Sequence, residues 1–264
     1  MSAETRAVAR RERVLGVDFF TGSLDEAVEL IAGGGLLTAP SGIGLAEDLV
    51  REPAYRRALA ASDLVLTDSG LLVTLWQLRT GRRLPRHSGL KFLRRWLERP
   101  EMRAPGAACW VMPSEEDAVR ARTWLNSLGV PAVEEDFYVA PWYGAGEVSD
   151  GKLLAQLEAR RPAVVYLGIG GGVQERLGCT LREQLSYRPA ILCLGAALAF
   201  LTGAQVGIPV WVDRARLGWL WRVMSHPRRF GGRYWRATKL VPLLLRHGPA
   251  APPVVGSTRT KKTL

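Results

Sequence analysis

Acidic residues are nearly absent where basic ones crowd. From Val206 to Leu264 there is one acid, Asp213, against twelve Lys and Arg. The whole chain of 264 residues carries 36 basic and 25 acidic residues, so its formal charge of +11 lies in that last stretch and the first 205 residues are neutral. A terminus with this imbalance meets something anionic: nucleic acid, an anionic lipid surface or a pyrophosphate substrate.

Cysteine and histidine are sparse too. Cys109, Cys179 and Cys193 are an odd number in apolar or mixed runs without metal-ligand spacing. That excludes a disulfide scaffold and fits a reducing cytoplasm. His87, His226 and His247 lie far apart with no Cys/His spacing, so no zinc site is expected. There is no Gly-x-Ser-x-Gly elbow for a serine nucleophile, no Gly-Lys-Ser/Thr of a P-loop, no Asp-x-Asp metal motif and no internal repeat. Residues 1–13 hold four arginines but lead into no apolar stretch of the kind a signal peptide needs, which argues against export. The one long uncharged run, residues 189–212, is broken by Gly195, Gly203, Gly207 and Pro209. A buried strand followed by a short helix explains it better than a membrane span.

What is present is core-forming sequence. Hydrophobic residues make up 47% of the chain, enough for one large α/β domain with an appendage. Apolar strands are expected at residues 13–20, 35–38, 64–67, 108–112, 163–168 and 190–194, with a strand region over 130–138. Helices are expected between them, at 23–31 behind a Ser23 cap, 44–59, 71–79, 115–128, 152–160 and 174–185. Strands apolar throughout and alternating with helices predict a Rossmann-like α/β fold, a mostly parallel sheet covered on both faces. The composition breaks near Val206. Residues 1–205 read as the catalytic domain, 206–247 as a basic, Trp-rich helical appendage and 248–264 as a disordered tail. The appendage holds Trp211, Trp219, Trp221 and Trp235 among its arginines, and interfacial aromatics of this kind favour a membrane surface over nucleic acid.

A parallel sheet binds ligands at the carboxyl ends of its strands. The residues there are Thr38, Asp68 to Gly70, Met112 to Ser114, Gly168 to Gln174 and Gly195 to Ala197. The turn Gly168-Ile-Gly170-Gly171-Gly-Val-Gln174 opens a helix, so its backbone amides can approach a phosphate without side chains in the way. The competing reading is a glycine turn without a ligand. Asp68 at a strand end suits a general base or a sugar-hydroxyl ligand, and equally an ordinary helix cap.

The run Ala61-Ser-Asp-Leu-Val-Leu-Thr-Asp-Ser-Gly70, the segment Gly81-Arg-Arg-Leu-Pro-Arg-His-Ser-Gly89, the pair Gln174-Glu175 after the glycine turn, and Trp219-Leu-Trp-Arg222 with the later arginines resemble the WecG/TagA/CpsF glycosyltransferase family. The order holds from about Val14 to Leu240. The resemblance implies that Asp68 is the base that deprotonates the acceptor hydroxyl and that Thr38 lines the same site. It implies further that Gly168, Gly170, Gly171, Gln174, Glu175 and Gly195 hold the nucleotide sugar, and that Arg222, Arg229 and Arg233 reach the diphosphate of a lipid-linked acceptor. The function implied is an inverting, metal-independent and cofactor-free transfer of a hexosamine-like sugar of the N-acetylmannosamine type from a UDP-sugar. The setting implied is cell-surface polysaccharide synthesis, at the anionic inner face of the cell membrane and with no nucleic acid partner. Three departures stand out: Pro40 where the family has Asn, Lys91 where it has Asp, and Gly218 where it has Glu. They motivate an alternative, a catalytically inactive nucleotide-sugar-binding or membrane scaffold protein of the same fold.

Overall fold

A computed structural model describes residues 10–203, 232 and 235–255. The chain opens with an antiparallel hairpin, β1 (Arg11–Val14) and β2 (Val17–Phe20), joined through Leu15 at φ 53° and Gly16 at φ 79°. Two successive left-handed residues make the tight turn a two-residue hairpin needs. The single strand expected over residues 13–20 is therefore two, and the turn was masked because Leu15 is an apolar, buried turn residue. Helix α1 (Leu24–Ala32) starts on the predicted Ser23 cap, with Glu26 closing the capping box, and β3 (Gly35–Thr38) follows.

The helix expected over residues 44–59 divides into three. A π-helical turn (Gly44–Asp48) runs into a short helical turn (Leu49–Arg51), Glu52 is extended, and α2 (Pro53–Ala61) begins at the proline. The residue before a proline is disfavoured in the helical region, and proline itself suits a first helical position. Then come β4 (Leu64–Val65), α3 (Gly70–Thr80) and α4 (Gly89–Leu97). Helix α4 was not foreseen, although Ser88 caps it and Phe92, Leu93, Trp96 and Leu97 form one buried stripe. Next are β5 (Ala108–Met112), α5 (Glu115–Ser127), β6 (Phe137–Val139) and α6 (Gly151–Arg160). The strand region expected over 130–138 shrinks to β6 because a 3-10 turn at Glu134–Asp136 precedes it. The last elements are β7 (Val164–Leu167), α7 (Val173–Gln184), β8 (Ala190–Cys193), α8 (Ala197–Leu201) and α9 (Leu240–His247).

Strands β3 to β8 form one parallel sheet in the order β4-β3-β8-β7-β5-β6. Successive strand residues point to opposite faces, and both faces are apolar and covered. Leu37, Trp110, Tyr166 and Leu192 pack beneath α1, α4, α5 and α8. Leu36, Val111, Val165 and Ile191 pack beneath α2, α6 and α7. A further cluster joins the hairpin, the π-helical turn and α3 to Leu240 and Leu244 of α9. This is the Rossmann-like α/β architecture expected. The two halves of the sheet meet between β3 and β8, where such sheets open a ligand crevice at their carboxyl ends.

Residues 248–255, expected to belong to a disordered tail, instead lie across the core. Leu15 and Gly16 donate their amides to the carbonyls of Gly248 and Pro249 at 2.8 and 2.9 Å, Val255 donates to Val50 at 2.8 Å, and Arg56 donates to the Pro252 carbonyl. The segment is ordered because its backbone groups satisfy those of the hairpin turn. No described helix is long and apolar enough to cross a membrane. Within the uncharged run, the described part is the strand β8 followed by α8. All three cysteines are free and buried.

Candidate functional site at the carboxyl end of the sheet

Beyond β4 the chain continues the sheet for one more bond, Leu66 amide to Thr38 carbonyl at 2.8 Å, and then turns. Ser69, not Asp68, caps α3, by accepting from the Leu72 amide at 3.3 Å. The half-buried Asp68 carboxylate accepts from the Gly89 amide at 3.1 Å, the first residue of α4, and Arg86 Nε approaches the Asp68 carbonyl at 3.4 Å. A helix N-terminus favours negative charge, so α4 holds this carboxylate in place at the strand end. The Thr67 hydroxyl donates to the Pro85 carbonyl, which pins the segment carrying Arg86 and His87 against β4. His87 itself bonds the Gly22 carbonyl through Nε2 at 2.7 Å, and burial lowers its pKa below the ordinary value.

The glycine turn between β7 and α7 is built without room for side chains at two places. A Cβ on Gly168 would meet the Tyr166 ring at 2.9 Å, and one on Gly172, which sits at φ 87°, would meet Asp48 Oδ2 at 2.9 Å. Gly170, at φ 104°, faces open space. Glu175 Oε2 accepts from the Gly172 amide at 2.7 Å, and Gln174 Nε2 donates to Glu175 Oε1 at 3.2 Å. Gln174 Oε1 accepts from the Gly195 amide at 2.8 Å, which ties the turn after β7 to the turn after β8. The Gly195 carbonyl accepts from the Tyr166 hydroxyl at 3.0 Å. Gln174 and Glu175 are both essentially fully buried, and burial pushes the Glu175 carboxyl up to about 7.

These turns touch. A Cβ on Gly89 would lie 3.3 Å from the Leu194 carbonyl, one on Gly42 would lie 2.9 Å from Ser69 Oγ, and one on Gly171 would lie 3.7 Å from Ser41 Oγ. Asp68, the start of α4, the turn after β8, Gln174, Glu175 and the glycine turn thus form one continuous rim, closed on the other side by the loop after β3. The fold brings together Asp68, Gly168, Gly170, Gly171, Gln174, Glu175 and Gly195, seven of the residues singled out from the sequence. Thr38 is placed differently. It is fully buried, its hydroxyl shares a 3.1 Å hydrogen bond with Ser62, and it reaches the rim only through the chain that follows it. Arg222, Arg229 and Arg233 lie outside the described residues.

Two further residues belong to this rim. Asp48 lies between Gly44 and Gly172, and burial, followed by the charges of Glu47 and Glu52, pushes its carboxyl up to about 6. Arg176 is buried on α7 and spends its guanidinium on carbonyls, Gly172 at 2.8 Å and Gly144 at 3.0 Å as well as Gly146. It straps the loop after β6 over the glycine turn. A Gly-x-x-x-Asp spacing carries no signal by itself, whereas an arginine two residues after the predicted Gln174 sits within reach of the turn by helix geometry alone. Chemically, the rim offers a carboxylate at a strand end, a glycine turn at the N-terminus of a twelve-residue helix, and beneath it the buried Glu175 and the half-buried Asp48.

A model of the glycosyl transferase WecG/TagA/CpsF family matches residues 12–251. Among curated proteins, none matches the chain.

Proposed function

The chain belongs to the WecG/TagA/CpsF family of glycosyltransferases, a family of cell-surface polysaccharide synthesis, and on that premise we propose that it transfers a hexosamine-like sugar of the N-acetylmannosamine type from a UDP-sugar to a lipid-diphosphate-linked acceptor. Asp68 is the residue on which the reading rests. Its carboxylate stands at the carboxyl end of the sheet, held by the Gly89 amide and joined through the Gly195 turn to the glycine turn. In the reaction Asp68 takes the proton of the acceptor hydroxyl as the oxygen bonds the anomeric carbon of the donor. The bond from that carbon to the diphosphate breaks, the configuration inverts, and UDP leaves with the electron pair. A positioned base of this kind contributes about 10²- to 10⁴-fold. The N-terminus of α7 and the arginines of the appendage supply the positive potential that stabilises the departing diphosphate. Thr38, through Ser62 and the strand end, positions the chain leading into the rim.

The appendage is the membrane-facing part in this proposal. Arg222, Arg229 and Arg233 meet the acceptor diphosphate at the inner leaflet, and each basic residue near an anionic surface adds about 1 kcal/mol of attraction. Because Leu240 and Leu244 belong to the core, the appendage is tested by charge reversal rather than truncation. Arg222→Glu, Arg229→Glu and Arg233→Glu together are expected to abolish capture by anionic liposomes and transfer to a lipid-linked acceptor while donor binding persists. Liposome capture that single-stranded oligonucleotides reverse would replace the membrane by nucleic acid.

Purified protein with a panel of UDP-sugars and a lipid-diphosphate sugar tests the activity. Transfer is the expected result, and neither transfer nor donor binding across the panel overturns it. Pro40 and Lys91, at the places of the family's Asn and Asp, favour the second reading, an inactive scaffold that retains the nucleotide sugar. Under that reading Asp68→Asn protein restores a cellular phenotype in full.

A further inference from the structure

The ground beneath the glycine turn is more acidic than a phosphate site calls for. Asp48 Oδ2 would lie 2.9 Å from a Gly172 Cβ and 3.6 Å from a Gly44 Cβ, so its carboxyl occupies the gap between the two glycines. Glu175, fully buried, puts one oxygen on the Gly172 amide and the other on Gln174 Nε2. The Tyr55 hydroxyl is buried without a hydrogen-bond partner among the described residues and lies 2.5 Å from where the Gly44 Cβ would be, on the same side as Asp48.

The charged and titratable groups facing this pair come from every neighbouring element. Glu47 and Glu52 flank Asp48, with Arg51 from the helical turn that follows; Tyr55 comes from α2, Cys193 from β8 and Arg176 from α7. The cations are largely committed elsewhere. Arg176 serves three backbone carbonyls, and Lys239 and Arg236 pair with Glu47 at 2.7 and 3.5 Å. Among the described residues neither Asp48 nor Glu175 has an ion-pair partner. Burial first, then the charges of Glu47 and Glu52 for Asp48 and the charge of Asp48 for Glu175, holds both carboxyls above the ordinary range, Asp48 at about 6 and Glu175 at about 7.

We propose that binding of the donor's diphosphate at this turn is coupled to proton uptake by Asp48 and Glu175, so that the neutral pair is the form that holds the nucleotide sugar. The inference rests on the donor reading above. A diphosphate settling on the Gly170 to Gly172 backbone brings two negative charges onto a turn already flanked by two carboxylates, and like charges in a buried site favour protonation. The coupling is reciprocal. If the ligand raises proton affinity, protons raise ligand affinity by the same factor.

Isothermal titration of the full chain with UDP-N-acetylglucosamine and UDP-N-acetylmannosamine, in pairs of buffers with different ionisation heats, reads the uptake directly. A diphosphate esterified at both ends carries no proton of its own that titrates near neutrality. At pH 7 the expected uptake is between about 0.5 and 1.5 protons, from a Glu175 half protonated and an Asp48 mostly ionised beforehand. Affinity should fall at least about tenfold from pH 6 to pH 8. Uridine, which lacks phosphate, should bind without uptake if it binds at all. Asp48→Asn and Glu175→Gln should each diminish the uptake and the pH slope, and the wild-type heats carry the test even if a variant fails to fold. Tight binding with heats independent of buffer overturns the inference and leaves the donor reading intact. So does affinity that depends on added Mg²⁺ without proton uptake, or uptake undiminished in both variants. No binding of either sugar nucleotide between pH 5 and 8.5 overturns the inference and the donor reading together.

Discussion

The two ends of the parallel sheet treat buried and half-buried carboxylates in opposite ways. At the amino end, Asp63 accepts from the Leu36 amide at 2.8 Å, from Arg182 at 2.9 and 3.1 Å and from Arg188 at 3.2 Å. Burial alone would raise its pKa, but the Arg182 and Leu36 hydrogen bonds and the two guanidinium charges outweigh it and leave the carboxyl below its ordinary value. At the carboxyl end, Asp48 and Glu175 have amide or glycine neighbours and no ion pair among the described residues, and both are raised. One sheet therefore has a settled end and an electrostatically unfinished one. The unfinished end is where an anionic ligand would add like charge and favour the neutral form of these carboxyls, and perturbed carboxyls of this kind gather in functional sites.

The largest test of this contrast is Asp68→Asn. Transfer should fall by about 100-fold or more with donor affinity within a factor of a few, measured by turnover and by titration separately. A loss of donor affinity instead would make Asp68 part of the donor site and blur the division of labour along the rim. The next is Glu175→Gln. In the fold Glu175 keeps its proton to about pH 7, against an ordinary value of 4.5, so stability declines as pH rises from 4.5 to 7. Glutamine removes that decline, up to about 3 kcal/mol of it, and the melting-temperature difference between pH 5 and pH 8 should narrow.

Asp63→Ala should cost about 2 kcal/mol at pH 7, since it strands the Leu36 amide while the two partly exposed arginines regain water. Its sign with pH is the reverse of that for Glu175. A lowered carboxyl stabilises above its unfolded pKa and loses that contribution as pH falls through its folded one, so the gap between wild type and variant should narrow in urea melts as pH falls below 3.8. Donor affinity should not move, and if it does the two ends are not separate. The smallest effect is Glu47→Gln. Its pairs with the half-exposed Lys239 and Arg236 hold the segment before α9 beside the rim, and losing them should lower the unfolding free energy from denaturant melts by less than about 1 kcal/mol.

How much of this was legible in the sequence depended on whether a residue's environment is local. The strands β3, β5, β7 and β8 were legible because a parallel strand buried on both faces has to be apolar throughout. Asp68 and the glycine turn were legible for a related reason, since strand ends of such a sheet are where ligands go. The hairpin turn was not, because Leu15 takes a left-handed conformation that Asn or Gly normally announces. The break at Glu52 was readable from Pro53 but lost within an otherwise continuous helical pattern. Asp48 had no signal at all. Its position matters only because folding sets Gly44 and Gly172, 128 residues apart, on either side of one carboxyl. Thr38 was legible as a strand-end residue, yet the partner of its hydroxyl, Ser62, depends on how α2 returns to the sheet.

The pairing of β3 with β8, Gly35 opposite Ala190, has a consequence for the making of the protein. A ribosome adding about 5 to 20 residues each second needs roughly 8 to 30 s to cover the 155 positions between those partners. For that interval the growing chain presents an apolar strand edge at its centre with only β4 as a neighbour. Unpaired edges of this kind invite pairing with other chains. The yield of soluble protein should then respond to translation speed and to chaperones more than the stability of the finished fold would suggest.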